Sequence, residues 1–303
     1  MAHGWPEWPG DVAKLRRIQE GRQRMEFEGD EVEGGAEAIG DEVSRRIRWG
    51  GGGVAAAVAL LFFATPLSLW EVIGIPLFYL LLPTLAVAQL PLVRSEKLER
   101  LPVYLGSAAT ILLIGAIGLL LGFRLVGGEG LGLVWLPAGE FVLWTLGLTA
   151  AGLGVIGFFL PADRVLSGEG ARVLAELLPR TGREKGAFVG LSAAAGVGEE
   201  LAYRGYALVA IQLLGAGPWA AAGASSAAFG FLHSYQGPVG VVRTGVMGFI
   251  LAVPVLLTGS LLPSIAAHTL IDLIAGLVLG PRLVPSLEGA SEAEALVPPP
   301  SME

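Results

Sequence analysis

Apolar residues run through most of the chain in long stretches that are separated by short polar connections. Eight of these stretches approach or exceed the length of about 20 residues that a helix needs to cross a bilayer. The predicted spans cover residues 52–70, 72–93, 101–123, 139–161, 187–214, 217–234, 238–258 and 260–280. The pattern therefore predicts an all-α fold, a polytopic membrane helix bundle with about eight transmembrane helices.

The composition agrees with a membrane protein. Of the 303 residues, 53% are hydrophobic and only 16% are charged, which is too apolar for a soluble globule of this size. The 45 glycines fit the same interpretation, because small residues let membrane helices approach closely. There is no cysteine, so a thiol nucleophile, a disulfide framework and a cysteine metal site are excluded.

The polar stretches divide the chain into four predicted parts. Residues 1–48 form a polar segment, either an amphipathic helix on the membrane surface or a solvated tail. Residues 49–186 hold four spans and an interfacial helix, residues 187–280 form a four-helix core, and residues 281–303 are predicted to be a disordered tail.

Basic residues give the predicted orientation. One set of connections contains nearly all of them, and the opposite set contains only Arg124. The richer set comprises Arg45, Arg46, Arg48, Arg94, Lys97, Arg100, Arg164, Arg172, Arg180, Arg183, Lys185 and Arg282. Under the positive-inside rule this distribution places both termini in the cytoplasm, which an even number of spans also requires.

The fifth predicted span contains two adjacent carboxylates and an arginine in an otherwise apolar run. Ionisable groups at membrane depth are costly unless they are paired, so they indicate a functional site. Glu200 and Arg204 are four residues apart on one helix face and are predicted to form a structural ion pair. Glu199 lies about 100° around the helix and has no partner in its own segment, which suits a general base. An ion-pair network that only clamps the bundle is the alternative.

Two of the three histidines lie inside predicted spans. His233 ends the sixth, one turn after Phe229, and His268 lies in the eighth. Asp272 follows His268 by four residues, so we expect its carboxylate to accept a hydrogen bond from one ring nitrogen and to leave the other nitrogen for a metal or a water. A satisfied structural histidine remains the alternative for each ring taken alone.

Three helices thus each contribute one acid–base element, and one carboxylate with two imidazoles is the minimal set for activating a water, with or without a divalent metal. The signature H-E-x-x-H is absent, so the ligands of any metal come from separate helices.

The predicted depths of the two histidines in the membrane conflict: His233 ends its span near the cytoplasm, whereas His268 is about 12 Å from the outer edge at 1.5 Å per residue. A tilted eighth span is one way for them to meet. Either Arg243 or Glu140 could face the site, and helix-end anchoring is the favoured interpretation of both.

These motifs, E-E-x-x-x-R at Glu199–Arg204, F-x-x-x-H at Phe229–His233 and H-x-x-x-D at His268–Asp272, resemble the CPBP intramembrane proteases. That family unites type II CAAX prenyl endopeptidases with bacterial Abi (bacteriocin-immunity-like) proteins, and the likeness covers residues 187–280.

The resemblance implies that Glu199 activates the hydrolytic water and that His233 and His268 hold this water or a zinc ion. It also implies that Glu199, His233, His268 and Asp272 are the catalytic residues, with Glu199, His233 and His268 as the ligands of any zinc. An ionised Asp272 can only accept hydrogen bonds, so it suits orientation of His268 better than an oxyanion hole.

The expected function is an intramembrane endopeptidase, of metal or glutamate type, that cleaves a membrane-associated peptide or protein. The resemblance makes a prenylated substrate conceivable, and the expected location is the plasma membrane of a prokaryote. The partners expected are the lipid bilayer and this substrate, with no nucleic acid. Two alternatives are a proton-coupled transporter that uses the same residues as a relay and a non-catalytic immunity or scaffold protein.

Overall fold

The computed structural model describes residues 38–95, 98–166, 168–280 and 282. Every regular element in these ranges is helical, so the predicted all-α class is confirmed. The α-helices are α1 (Ala38–Ala64), α2 (Leu69–Pro76), α3 (Leu82–Ala88), α4 (Leu90–Ser95), α5 (Arg100–Gly130), α6 (Ala138–Leu166), α7 (Gly168–Glu176), α8 (Gly182–Glu200), α9 (Leu208–Gln212), α10 (Pro218–Leu232), α11 (Gly237–Thr258) and α12 (Leu262–Ile274). Three π-helical segments lie within these runs, at Leu77–Leu81, Leu201–Ala207 and Ala275–Leu279.

Six helical runs in the described residues are long and apolar enough to cross a membrane. They are Ala38–Ala64, Leu69–Arg94, Arg100–Gly130, Ala138–Asp163, Ser234–Thr258 and Leu262–Leu279. The other two predicted spans coincide with the run from α8 through α9 and with α10. Helix α10 has only 15 residues and is therefore about 22 Å long, which is shorter than the ~30 Å hydrocarbon core. A bundle of several transmembrane helices is thus established, and the exact count of eight stays a prediction.

The predicted boundaries are least accurate at the first connection. The first helix already begins at Ala38, inside the segment 1–48 that was predicted to be polar and separate. Glu71, which falls between the predicted spans 52–70 and 72–93, lies in the first turn of α2, where the Ser68 hydroxyl donates to its carboxylate. The remainder of the N-terminal segment, residues 1–37, and the predicted tail from residue 283 onward lie outside the described residues. The chain divides into two compact units, residues 1–45 and 46–303, and the packing below lies in the second.

Glycines bring α8 into backbone contact with two neighbours. A Cβ on Gly198 would lie 2.6 Å from the carbonyl oxygen of Ile111 in α5, and a Cβ on Gly196 would lie 2.8 Å from the carbonyl oxygen of Ile265 in α12. Two residues correspond to about 200° around a helix, so these contacts use opposite sides of α8. Small residues are what permits such approach between membrane helices. The end of α8 is therefore held between α5 and α12.

Helix α11 brings α10 and α12 to the same level. Gly248, halfway along α11, is in contact distance of Phe229 of α10, and Ser264 of α12 donates a hydrogen bond of 2.7 Å to the Leu251 carbonyl oxygen. Gly259 ends α11 in the left-handed conformation (φ 73°), which glycine adopts without steric cost, and the chain then turns into α12. His268 follows Ser264 by one turn and so lies beside the middle of α11.

Candidate active site

The first of the sequence motifs lies where α8 changes into a π-helical segment. This segment, Leu201–Ala207, is buried at all seven positions. Such wide turns are rare and are frequent at functional sites. Arg204 Nη1 lies 2.8 Å from Glu200 Oε1, and both side chains are almost completely buried. The ion pair therefore has the geometry that the spacing of four residues predicts.

Glu200 has a second partner that its own helix does not supply. Its Oε1 atom also lies 2.8 Å from His268 Nδ1, across 68 positions of sequence. A carboxylate paired with arginine is ionised and can only accept hydrogen bonds, so His268 Nδ1 is the donor. This contact fixes the orientation of the His268 ring and turns Nε2 away from Glu200.

Two further carboxylates flank the other nitrogen of this ring, Nε2. His268 Nε2 lies 3.7 Å from Glu199 Oε2 and 3.9 Å from Asp272 Oδ2. Both distances exceed those of a good hydrogen bond and leave room for an intervening water. The side chain of Glu199 is 13% exposed and that of Asp272 is 35% exposed, so Asp272 marks the more accessible side of the site.

The structure therefore corrects the predicted role of Asp272. The spacing of four residues led us to expect Asp272 to orient His268 by a direct hydrogen bond. Glu200 makes that bond instead, and Asp272 stands near the opposite nitrogen. The physical reason is that Arg204 holds the Glu200 carboxylate in place, whereas the Asp272 side chain is only partly enclosed.

The ring of Phe229 joins the three motifs. Its centroid lies 4.9 Å from that of His233 and 6.1 Å from that of His268, the latter in an edge-on arrangement. The guanidinium carbon of Arg204 lies 4.3 Å from the same centroid, within cation–π range. The Arg204 Nε atom also donates to the Gly248 carbonyl oxygen at 3.3 Å. The Phe229 ring thus packs against both imidazoles and the Arg204 guanidinium.

His233 is oriented by the backbone of its own helix. Its Nδ1 atom lies 3.1 Å from the Phe229 carbonyl oxygen, which can only accept, so Nδ1–H donates and Nε2 is free to face a ligand. The conflict in depth between the two histidines disappears, because α10 is short and α12 meets α11 near its middle. Both rings lie against Phe229 and so belong to one site.

A polar chain that sequence analysis did not identify continues from His233. Tyr235 and Gln236 form the short 3₁₀ turn after His233, and the Tyr235 ring centroid lies 5.9 Å from that of His233. Arg243 donates to Gln236 Oε1 at 2.6 Å and also pairs with Asp163 of α6. The interpretation of Arg243 as a helix-end anchor was therefore wrong, since its side chain is only 12% exposed and joins α6 to this turn. Asp163, which pairs with Arg243, is 80 positions away from it, so the only signal in the sequence was that Tyr235 lies two residues after His233.

The donor atoms do not form a metal site as they stand. In residues 38–95, 98–166, 168–280 and 282, no three His, Asp or Glu side chains are close enough together to hold one ion. Glu199, His233 and His268 therefore do not lie together as one set of metal ligands in this structure. Zinc binding stays a prediction, and the reaction proposed below uses no metal.

These observations define a class: a helical membrane protein with a buried carboxylate, two oriented imidazoles and a positioned ion pair. Residues 184–274 match the family model described as Type II CAAX prenyl endopeptidase Rce1-like. This match supports a CPBP/CAAX protease family assignment for residues 184–274, and that family implies a peptidase. The matched range includes every site residue that the sequence motifs identified. No curated protein and no solved structure has a significant match to the chain.

Proposed function

We propose that this protein is an intramembrane endopeptidase that hydrolyses a peptide bond with a water held between Glu199 and His268. The observation that carries the proposal is the position of His268 Nε2, which is oriented through Nδ1 and lies 3.7 Å from an otherwise unpaired Glu199 oxygen. A gap of this size suits a water that hydrogen-bonds to both groups. The family assignment supports the same reaction class.

In the proposed reaction the water oxygen attacks the carbonyl carbon of the substrate, and Glu199 accepts one proton of the water. The carbonyl oxygen takes the electron pair of the C=O bond and becomes an oxyanion. Collapse of this intermediate breaks the C–N bond, and Glu199 transfers its proton to the departing amine. The products are a carboxylic acid and an amine, and Glu199 returns to its carboxylate form.

The other residues act by position. Glu200 and Arg204 hold the His268 ring, and the backbone carbonyl of Phe229 holds the His233 ring, so both imidazoles keep Nε2 available. Groups that are oriented before the substrate binds need no rearrangement in the transition state. His268 thereby orients the water with respect to Glu199 by accepting a hydrogen bond at Nε2, and His233 offers a second acceptor.

The substrate proposed is a membrane-associated peptide or protein that is cleaved near the cytoplasmic boundary. A prenylated C-terminal segment is one such substrate, suggested by the description of the matched family. The basic residues support an orientation with both termini in the cytoplasm. The location proposed is the plasma membrane of a prokaryote.

The test is cleavage of a quenched, membrane-tethered peptide library by the purified full-length protein in liposomes. Glu199→Gln is expected to lower kcat by about 10²–10⁴-fold, because it removes the proton acceptor without changing the shape of the side chain. Glu140→Gln is the matched control, since Glu140 is an exposed glutamate at the start of α6, and its activity is expected to equal that of the wild type.

Full activity in Glu199→Gln would refute the assignment of the base. Cleavage that is abolished by a chelator and restored by Zn²⁺ would refute the metal-free route and favour the zinc expectation. Absence of cleavage, together with Glu199-dependent proton flux across the liposome, would favour the transporter alternative. Absence of both would favour a scaffold protein.

A further inference from the structure

The proposed reaction forms an oxyanion, and the residues assigned to it above do not include a hydrogen-bond donor for that oxyanion. An oxyanion needs hydrogen-bond donors aimed at it, and one such donor is worth about 10²–10³ in kcat. Glu199 and Asp272, which flank His268 Nε2, can only accept when they are ionised. A donor other than these carboxylates must therefore complete the site.

Tyr235 is held next to His233 by a defined turn. The Gln236 backbone N–H donates to the His233 carbonyl oxygen at 2.9 Å, and the Ser234 hydroxyl donates to the Phe231 carbonyl oxygen. Gly237 follows with φ 81°, a conformation that favours glycine, and starts α11. The turn thus fixes the Tyr235 ring 5.9 Å from the His233 ring, on the side of the site where the chain leaves α10.

The Tyr235 hydroxyl is prepared to donate. Gln236 Nε2 donates to its oxygen at 3.1 Å, which occupies a lone pair and leaves the hydroxyl hydrogen. In the part of the chain that the structure describes, no side chain or carbonyl accepts that hydrogen.

The Gln236 amide cannot turn round without losing its own partner. Arg243 Nη2 donates to Gln236 Oε1 at 2.6 Å, so the amide nitrogen must face Tyr235. Arg243 is held in turn by its ion pair with Asp163 of α6, and both side chains are largely buried. Such a chain of fixed partners orients the last group more strictly than one hydrogen bond does.

We propose that the Tyr235 hydroxyl donates a hydrogen bond to the scissile carbonyl oxygen as it becomes an oxyanion, and that Gln236 and Arg243 are its positioning residues. The inference rests on the proposed function and adds a catalytic residue to it. It gives this chain an oxyanion donor on the turn after His233.

The experiment compares Tyr235→Phe with the wild type in the liposome cleavage assay. Because the hydrogen bond forms only in the transition state, we expect kcat to fall by about 10²-fold with KM unchanged. Tyr79→Phe is the matched control, because it also removes a tyrosine hydroxyl. The Tyr79 hydroxyl donates to the Ala207 carbonyl oxygen at 3.0 Å, and the kcat of this variant is expected to stay at the wild-type value.

A double-mutant cycle separates positioning from a general loss of structure. Gln236→Leu is expected to lower kcat in the wild type and to have no further effect in Tyr235→Phe, because the two changes then remove the same interaction. A peptide trifluoromethyl ketone, whose hydrate imitates the oxyanion, is expected to bind Tyr235→Phe about 10²-fold more weakly.

Three results overturn the inference. If Glu199→Gln is inactive while Tyr235→Phe keeps the wild-type kcat and ketone affinity, the proposed function stands and Tyr235 is not the donor. If Gln236→Leu and Tyr235→Phe lower kcat independently, Gln236 does not act through Tyr235. If the wild type cleaves nothing, the proposed function fails and this inference falls with it.

Discussion

Helix α1 and the π-helical segment Leu201–Ala207 are both apolar, but α1 is exposed and the π-helical segment is buried inside the protein. None of the most apolar 18-residue window of α1 is buried within the protein, and Phe63 is 84% exposed. All seven residues of Leu201–Ala207 are buried, including the charged Arg204. In a lipid environment an exposed apolar side chain costs nothing, whereas a buried charge requires a partner. The comparison teaches that in this protein burial by other helices, rather than hydropathy, marks the site.

The largest effect that tests this comparison is expected from Arg204→Met. The change leaves the Glu200 carboxylate buried without its cation, and breaking a buried pair costs about 3–5 kcal/mol of the free energy of unfolding. Phe63→Ala on α1 is the control, and we expect it to change the free energy of unfolding by less than about 0.5 kcal/mol, as at other exposed positions. Denaturant titration in detergent micelles measures both.

The double variant Glu200→Gln with Arg204→Met sharpens that result. Since no unpaired charge remains, it is expected to be more stable than Arg204→Met alone. A cost for Arg204→Met below about 1 kcal/mol would match an exposed ion pair and would contradict the buried arrangement.

A smaller effect is expected from two identical substitutions on α8. Gly198→Ala places a Cβ 2.6 Å from the Ile111 carbonyl oxygen and is expected to cost about 1–3 kcal/mol by pushing α8 from α5. Gly190→Ala meets no atom within 4 Å and is expected to stabilise the helix by up to about 1 kcal/mol. Equal effects in unfolding experiments would show that α8 does not touch α5 at Gly198.

The smallest expected effect lies outside the membrane-spanning part, at the start of α8. The backbone N–H groups of Thr181 and Arg180 donate to the Glu184 carboxylate and lower its pKa from the ordinary value. A lowered folded-state pKa stabilises the protein above the ordinary pKa of about 4.5, and this contribution is lost as the pH falls through the lowered value. Glu184→Gln is therefore expected to weaken the pH dependence of unfolding below pH 4.5, and identical pH profiles would contradict the capping interaction.

Most of the local features of the fold were predictable because they depend on helical spacing or composition. The all-α class followed from long apolar stretches, and the contact between Glu200 and Arg204 followed from a spacing of four. The start of α1 was missed because small and charged residues near Ala38 gave no clear end to the polar segment. The count of eight spans stays a prediction, because α10 is shorter than the length rule assumes.

The residue types of the site were predictable from the sequence, but the contacts between their side chains were not. Two carboxylates, Glu200 and Asp272, were each able to orient His268, and spacing alone favoured the one on the same helix. Packing decided for Glu200, because Gly196 allows α12 to approach α8 and Arg204 fixes the Glu200 carboxylate. The sequence did not indicate a functional role for the turn of Tyr235 and Gln236, because the side chains that hold it, Arg243 and Asp163, lie on other helices.

The sequence by itself determined the helices, the pairing of Glu200 with Arg204, and the three motifs that resemble one protease family. These depend on side-chain chemistry and on distances of a few residues along one helix, which the helical period sets. Only the tertiary structure decided which nitrogen of His268 is bound, which carboxylates face the other, and what lies beside His233. Such contacts join residues up to 80 positions apart, and their geometry depends on how closely glycines let the helices approach.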